Sequence, residues 1–156
     1  MIGGDSLPLN QTKIRVIYAD TDAMGIVYHT NYIKWFEVGR GELFRQMDLV
    51  YRWIEEQGYG MPLTEVYAHY LLPARYDQIL LIETEIGYVR RASVRFDYTI
   101  WDEKRENALV EGHSIHAFVD SKTLRVVRMP PVIAQRLQEM AGAKKGKDVQ
   151  EKTDGG

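Results

Sequence analysis

At 156 residues the chain has the length of one domain, enough to bury about 70% of the surface its unfolded form exposes, so no covalent staple is needed to hold a core. It has no cysteine, which excludes disulfides, thiolate metal sites and thiol nucleophiles. A net charge of −2 is too near neutral for wholesale attraction to nucleic acid or to a membrane surface. No apolar run approaches the roughly 18 residues of a membrane span. Residues 1–12 lack the basic and apolar regions of a signal peptide, so the expected compartment is the cytoplasm.

Residues 13–19 (KIRVIYA) alternate and are β-branched, which predicts a strand. A polar stretch ending at Gly25 follows. Residues 32–47 have a helical period, with Tyr32, Phe36, Gly39, Leu43 and Met47 on one stripe. Gly39 costs such a helix about 1 kcal/mol relative to Ala, so its presence predicts a close approach of the helix to a sheet. A shorter helix is expected over 49–57, ending at Gly58. The period then changes to two. Residues 63–72, 79–89, 93–101 and 108–120 read as long strands. In the third of them Val94, Phe96, Tyr98 and Ile100 form a dry face against Arg95, Asp97 and Thr99. Residues 125–128 add a possible short strand, and Pro130-Pro131 open a final helix over 132–140. Residues 142–156 hold four lysines, three acids and only two apolar residues, Ala143 and Val149, which predicts a disordered charged tail.

This order predicts an α+β protein, one long helix against an antiparallel sheet. Strands 79–89 and 108–120 carry apolar residues on both sides, so the face away from the helix needs a cover. Self-association is the simplest one.

The densest polar and aromatic stretch is Tyr18-Ala19-Asp20-Thr21-Asp22-Ala23-Met24-Gly25-Ile26-Val27-Tyr28-His29-Thr30-Asn31-Tyr32. A helix start offers unpaired N–H groups and partial positive charge, and a carboxylate just upstream of it adjoins a ready-made oxyanion site. Each of these residues taken singly also reads as an ordinary cap or turn residue. A calcium loop fails, because Met24 stands at a ligand position and Asn31 replaces the closing Glu. A phosphate cradle is unsupported by a single Gly.

The run Tyr-x-Asp-Thr-Asp-x-x-Gly-x-Val-Tyr-His-x-x-Tyr resembles the signature of the 4-hydroxybenzoyl-CoA thioesterase family, and most of all its branch of bacterial acyl-CoA thioesterases encoded beside the Tol–Pal envelope genes. Tyr70-Leu71-Leu72-Pro73-Ala74-Arg75-Tyr76-Asp77 resembles that family's next recurring segment, although Gln78 stands where many relatives have a second acid. The resemblance spans roughly residues 13–137. It implies a hotdog fold, a long helix wrapped by a five- to six-stranded antiparallel sheet, over 1–141. It also implies homodimers often paired into homotetramers, with sites at the dimer interface. It further implies hydrolysis of an acyl-CoA to free acid and CoA, with Asp22 as the catalytic carboxylate and His29 and Tyr18 in support. No cofactor is implied, CoA being part of the substrate.

Asp22 either attacks the thioester directly or acts as general base on water. Both roles need it ionised, as its reference pKa of about 3.9 allows. Backbone N–H groups near Tyr28 and His29 are the expected oxyanion donors, with Tyr18 orienting Asp22 or water and Asp20 structural. Arg90 and Arg91, with Arg125 and Arg128, are candidates to hold the CoA phosphates. Glu65 is a candidate second carboxylate. Tyr67, Tyr70, Phe44 and Met61 are acyl-pocket or core residues. His113 and His116 lie three apart on a strand and so point to opposite faces, which speaks against a shared metal. The competing readings are a hydroxyacyl-thioester dehydratase and a non-catalytic hotdog scaffold that docks partners such as acyl carrier protein.

Overall fold

The stripe read on residues 32–47 is where the fold is anchored. In the computed structural model, which describes residues 8–153 and side chains to residue 142, the long helix α1 spans Thr30–Gln46. Tyr32, Phe36, Leu43 and Met47 are all buried against the inner face of a five-stranded antiparallel sheet. The strands are β1 (Asn10–Arg15), β3 (Leu63–Tyr70), β4 (Ile79–Val89), β5 (Ser93–Asp102) and β6 (Ala108–Ala117). Their order is β1-β4-β5-β6-β3. A short helix α2 (Tyr51–Glu56) follows α1, and two-residue strands β2 (Tyr59–Gly60) and β7 (Val119–Asp120) pair separately. The final helix α3 (Pro131–Thr153) buries Ile133 and Leu137.

Gly39 does what its place on the stripe requires. A Cβ there would meet the Thr84 hydroxyl and, at 2.8 Å, Cγ2 of Ile82. On either side of it along α1, Phe36 stacks on Tyr98 at 4.4 Å and Phe44 packs edge-on against Phe96 at 5.7 Å. These rings join helix to sheet through the same face of β5 that alternation marked as dry.

Four expectations are corrected. The first strand begins at Asn10 and ends at Arg15 rather than running to residue 19. Val16 still bonds to Gln78 and Asp77 through its backbone, but the Asp20 carboxylate accepts the Ile17 N–H at 2.9 Å and coils Tyr18–Asp20 into a 3-10 turn. The strand read over 108–120 is broken between β6 and β7. Residues 125–128 add only a single bridge, Val119 to Val126. The last helix continues to Thr153 rather than stopping at residue 140. The expected tail of 142–156 is thus helical in its backbone as far as Thr153; its side chains and residues 154–156 lie outside the described residues.

The outer face of the sheet is largely polar on β4, β5 and β6. Glu83 on β4 is 5% exposed, and its carboxylate accepts hydrogen bonds from Arg105, Trp101 and Gln11. Beside it β5 and β6 present Arg95, Asp97 and His113, all in polar contacts. The apolar surface that wants a partner lies instead along edge strand β3, where Leu63, Val66, Tyr67 and Tyr70 are 37–52% exposed. No helix among the described residues is long and apolar enough to cross a membrane.

His116, on the inner face of β6, is 3% exposed. Burial, with the Arg40 charge nearby, pushes its pKa down to about 4 from the ordinary 6.5. The folded state therefore holds it neutral while the unfolded chain protonates it. Stability from this residue is complete above pH 6.5 and is lost as pH falls towards 4. Urea unfolding should give about 2 kcal/mol less stability at pH 5 than at pH 7.5. Glu83 has a depressed pKa and acts only below the ordinary carboxylate range, so it does not mask this window. A His116→Asn protein should have a flatter profile; equal slopes for the two proteins would contradict the assignment.

Candidate active site

The loop that feeds α1 is a tight hairpin. Thr21 bridges Val27, the Asp22 N–H donates to the Ile26 carbonyl at 2.9 Å, and the Gly25 N–H donates to the Asp22 carbonyl at 2.9 Å. Gly25 takes a φ of 79°, a conformation that glycine adopts without cost. Asp22 sits at the corner. One of its carboxylate oxygens accepts the Met24 N–H at 2.8 Å, and the other is uncommitted among the described residues. Asp20 organises the loop from inside. Its carbonyl accepts both the Tyr28 N–H and the Asn31 side chain, each at 2.9 Å.

That contact corrects one expectation. The Tyr28 N–H is already committed to Asp20, so of the two expected oxyanion donors only His29's remains; at the helix start the Asn31 N–H is likewise spent, on the Tyr28 carbonyl at 3.0 Å. His29 is the residue before the first turn of α1. Its carbonyl accepts the Tyr70 hydroxyl at 3.1 Å, which ties the helix start to the end of β3. The Tyr28 ring lies 4.5 Å from the His29 ring and is half exposed. Tyr18 is 79% exposed, packs edge-on against Tyr76, and makes no hydrogen bond to Asp22.

The loop is sewn to the segment after β3. Val27 N–H donates to the Ala74 carbonyl, and Ile26 bridges Arg75. Between them lies a mainly apolar cavity of about 340 Å³, lined by Ile26, His29, Tyr32, Tyr70, Leu71 and Leu72 among others. Neither Asp22 nor Tyr18 lines it. Tyr32 accepts the Ala74 N–H at 3.1 Å, and burial pushes its phenol up, so it stays protonated at neutral pH.

The other candidates separate. Arg90, Arg91 and Arg128 gather around one cleft of about 550 Å³ beside the start of α3, and Arg125 does not line it. Glu65 pairs with His113 at 2.6 Å on the outer face of the sheet, away from α1, and is no second carboxylate for this site. His116 faces inward, so the two histidines do diverge. Phe44 is core, Tyr67 stacks on His113, and Tyr70 lines the cavity. In the sequence Tyr32 is marked only as a member of the buried stripe, and no motif marks Arg40. The signal for Arg40 was its position on the sheet-facing border of that stripe.

A five-stranded antiparallel sheet wrapped on one long helix, with a carboxylate loop running into that helix, defines a hotdog-fold protein. The chain belongs to the thioesterase-like superfamily, whose family model matches residues 16–137. It is 30% identical over 127 residues to the Escherichia coli acyl-CoA thioester hydrolase YbgC, covering 81% of this chain and 93% of that one. Among solved structures it is similar to the hypothetical protein TT1821 of Thermus thermophilus, at 28% identity and a TM-score of 0.78 over 83% of this chain and 98% of that one. It is also similar to the DHNA-CoA thioesterase of Staphylococcus aureus, at 25% identity and a TM-score of 0.74 over 94% and 95%.

Proposed function

We propose that this protein hydrolyses the thioester of an acyl-CoA to free acid and CoA, with Asp22 as the reacting carboxylate and the start of α1 as the oxyanion site. The observation that carries the reading is the Asp22 oxygen, uncommitted among the described residues, on a hairpin loop that leads into a helix N-terminus. In the direct route this oxygen adds to the thioester carbon, the C–S bond breaks, and the thiolate leaves to be protonated. Water then opens the mixed anhydride and regenerates the carboxylate. In the general-base route the same oxygen takes a proton from the attacking water. Either way negative charge grows on the former carbonyl oxygen, where the His29 N–H and the partial positive charge of the helix start are available to meet it. The His29 ring, exposed beside them, is positioned to give a proton to the leaving sulfur. Steady-state assay of an acyl-CoA panel, reading released thiol, tests the reading; no thiol from any member would overturn it.

The phosphate end of the substrate supports a dimer. Within one chain the arginine cleft lies near Ser93 and Ala117, whereas Tyr70 pairs with Val110. Seven residues of β6 separate those levels, about 24 Å. Two copies joined through their exposed β3 edges about a two-fold axis would run antiparallel. Arg90 and Arg91 of the partner subunit would then lie at the Asp22 end of the joined sheet, three strand spacings or about 14 Å away. Substituting Ala for both Arg90 and Arg91 should raise KM about tenfold. Mixed dimers of that chain with an Asp22→Asn chain should recover half of the parent activity, since one of the two sites is whole. Recovery no better than that of the arginine variant would place each site within a single chain.

A further inference from the structure

A second cavity, about 210 Å³, lies farther along α1 between that helix and strands β3 and β6. Ile33, Met61 and Val66 supply apolar walls, while Arg40, Ser114 and His116 supply polar ones. The polar side chains form one chain of hydrogen bonds whose direction is forced. Arg40 has no acceptor, so it donates to the Tyr51 hydroxyl and, at 3.1 Å, to the Tyr98 hydroxyl. Tyr98 then gives its proton to Ser114 at 2.6 Å, Ser114 gives its own to Nε2 of His116 at 2.9 Å, and Nδ1–H of His116 donates to the Met61 carbonyl at 3.2 Å. Every member except Arg40 is neutral.

Arg40 is therefore a half-buried guanidinium with only phenols as partners. Three of its five N–H groups are unbonded among the described residues. Glu37, one turn away on the exposed rim of the same cavity, is in no ion pair among the described residues. A buried cation without a counter-charge is costly, and an anion brought from outside removes that cost. The cavity lies along α1 and β3 from the site already described. His29 and Ile33 precede Arg40 along one side of α1, a rise of about 16 Å from His29. On β3, Tyr70 lines the first cavity and Val66 the second, four residues or about 13 Å apart on the same face of the strand.

We propose that this cavity receives the far end of the acyl group and that Arg40 selects acyl chains ending in a carboxylate, that is, CoA monothioesters of dicarboxylic acids. The inference rests on the thioesterase reading above. It is tested on the full chain with length-matched acyl-CoAs ending in methyl or in carboxylate. The carboxylate-to-methyl ratio of kcat/KM should peak at the length that reaches Arg40, by about tenfold over shorter pairs. Arg40→Met should lower that ratio about 30-fold. Glu37→Gln, which leaves the Tyr98–Ser114–His116 bonds intact, should raise it about threefold. A ratio flat with length in the parent protein, or unmoved by Glu37→Gln, would overturn the proposal even where Arg40→Met fails to fold. Good turnover with a flat ratio removes this inference alone; absence of turnover on every acyl-CoA removes the thioesterase reading as well.

Discussion

Asp22→Asn is expected to lower kcat by about 10²–10⁴-fold while leaving the fold unchanged. The amide has the shape of the carboxylate, and its oxygen can still accept the Met24 N–H that holds the hairpin corner. The bonds from Asp22 N–H to Ile26 and from Gly25 N–H to the Asp22 carbonyl are made by backbone and survive the change. What is lost is the second oxygen, the one without a partner, replaced by an NH₂ group that neither attacks a thioester nor accepts a proton from water at neutral pH. The measurement is steady-state thiol release together with far-UV circular dichroism and urea unfolding. Turnover within tenfold of the parent, with an unchanged spectrum, would remove Asp22 from the chemistry and leave the helix start without its carboxylate.

Gly112→Ala is expected to cost about 3 kcal/mol of stability, at the top of the usual range for overpacking. Gly112 stands on the inner face of β6, opposite Ala68 of β3 and Tyr98 of β5. A methyl group there would meet Cε2 and Cζ of Phe36 at 2.7 Å and would press harder still on the Tyr67 carbonyl. Neither neighbour has freedom to retreat. Phe36 is 1% exposed and held face to face with Tyr98, and the Tyr67 carbonyl belongs to the backbone of β3. The strain should be relieved by lifting β3 from β6, which shifts Tyr70 and loosens its hold on the His29 carbonyl. Urea unfolding reads the stability loss, and kcat on a good substrate reads the displaced helix start. A loss below about 0.5 kcal/mol would show that α1 is packed less tightly on the sheet than these distances require.

Where one pattern had one physical explanation, the sequence sufficed. The 3- and 4-residue spacing of Tyr32, Phe36, Gly39, Leu43 and Met47 has no other use than a helix with one buried stripe, and the strict alternation from Val94 to Ile100 has none but a half-buried strand. Gly39 was legible for the same reason, since a residue poor for helices on a helix stripe needs a close neighbour, and Thr84 with Ile82 is that neighbour. Reading failed where two patterns competed. KIRVIYA alternates well, yet a single carboxylate, Asp20, capturing the Ile17 N–H ends the strand early. Apolar residues on both sides of β4 suggested a face waiting for a partner. At its centre stands Glu83, whose carboxylate is bonded by Trp101, Arg105 and Gln11, side chains distant in sequence.

The sequence by itself determined the elements, the helix that carries the stripe and the loop that carries Asp22, because those depend on neighbours within a few positions. Only the tertiary structure decided which donors and charges remain free. That Tyr28 N–H is spent on Asp20 and His29's is not depends on how an eleven-residue loop folds back on itself. That Arg40 ends with phenols and no carboxylate depends on residues 51, 98, 114 and 116 converging from α2, β5 and β6. Hydrogen-bond satisfaction is a property of space rather than of sequence, and the reactivity of this site is set by what it leaves over.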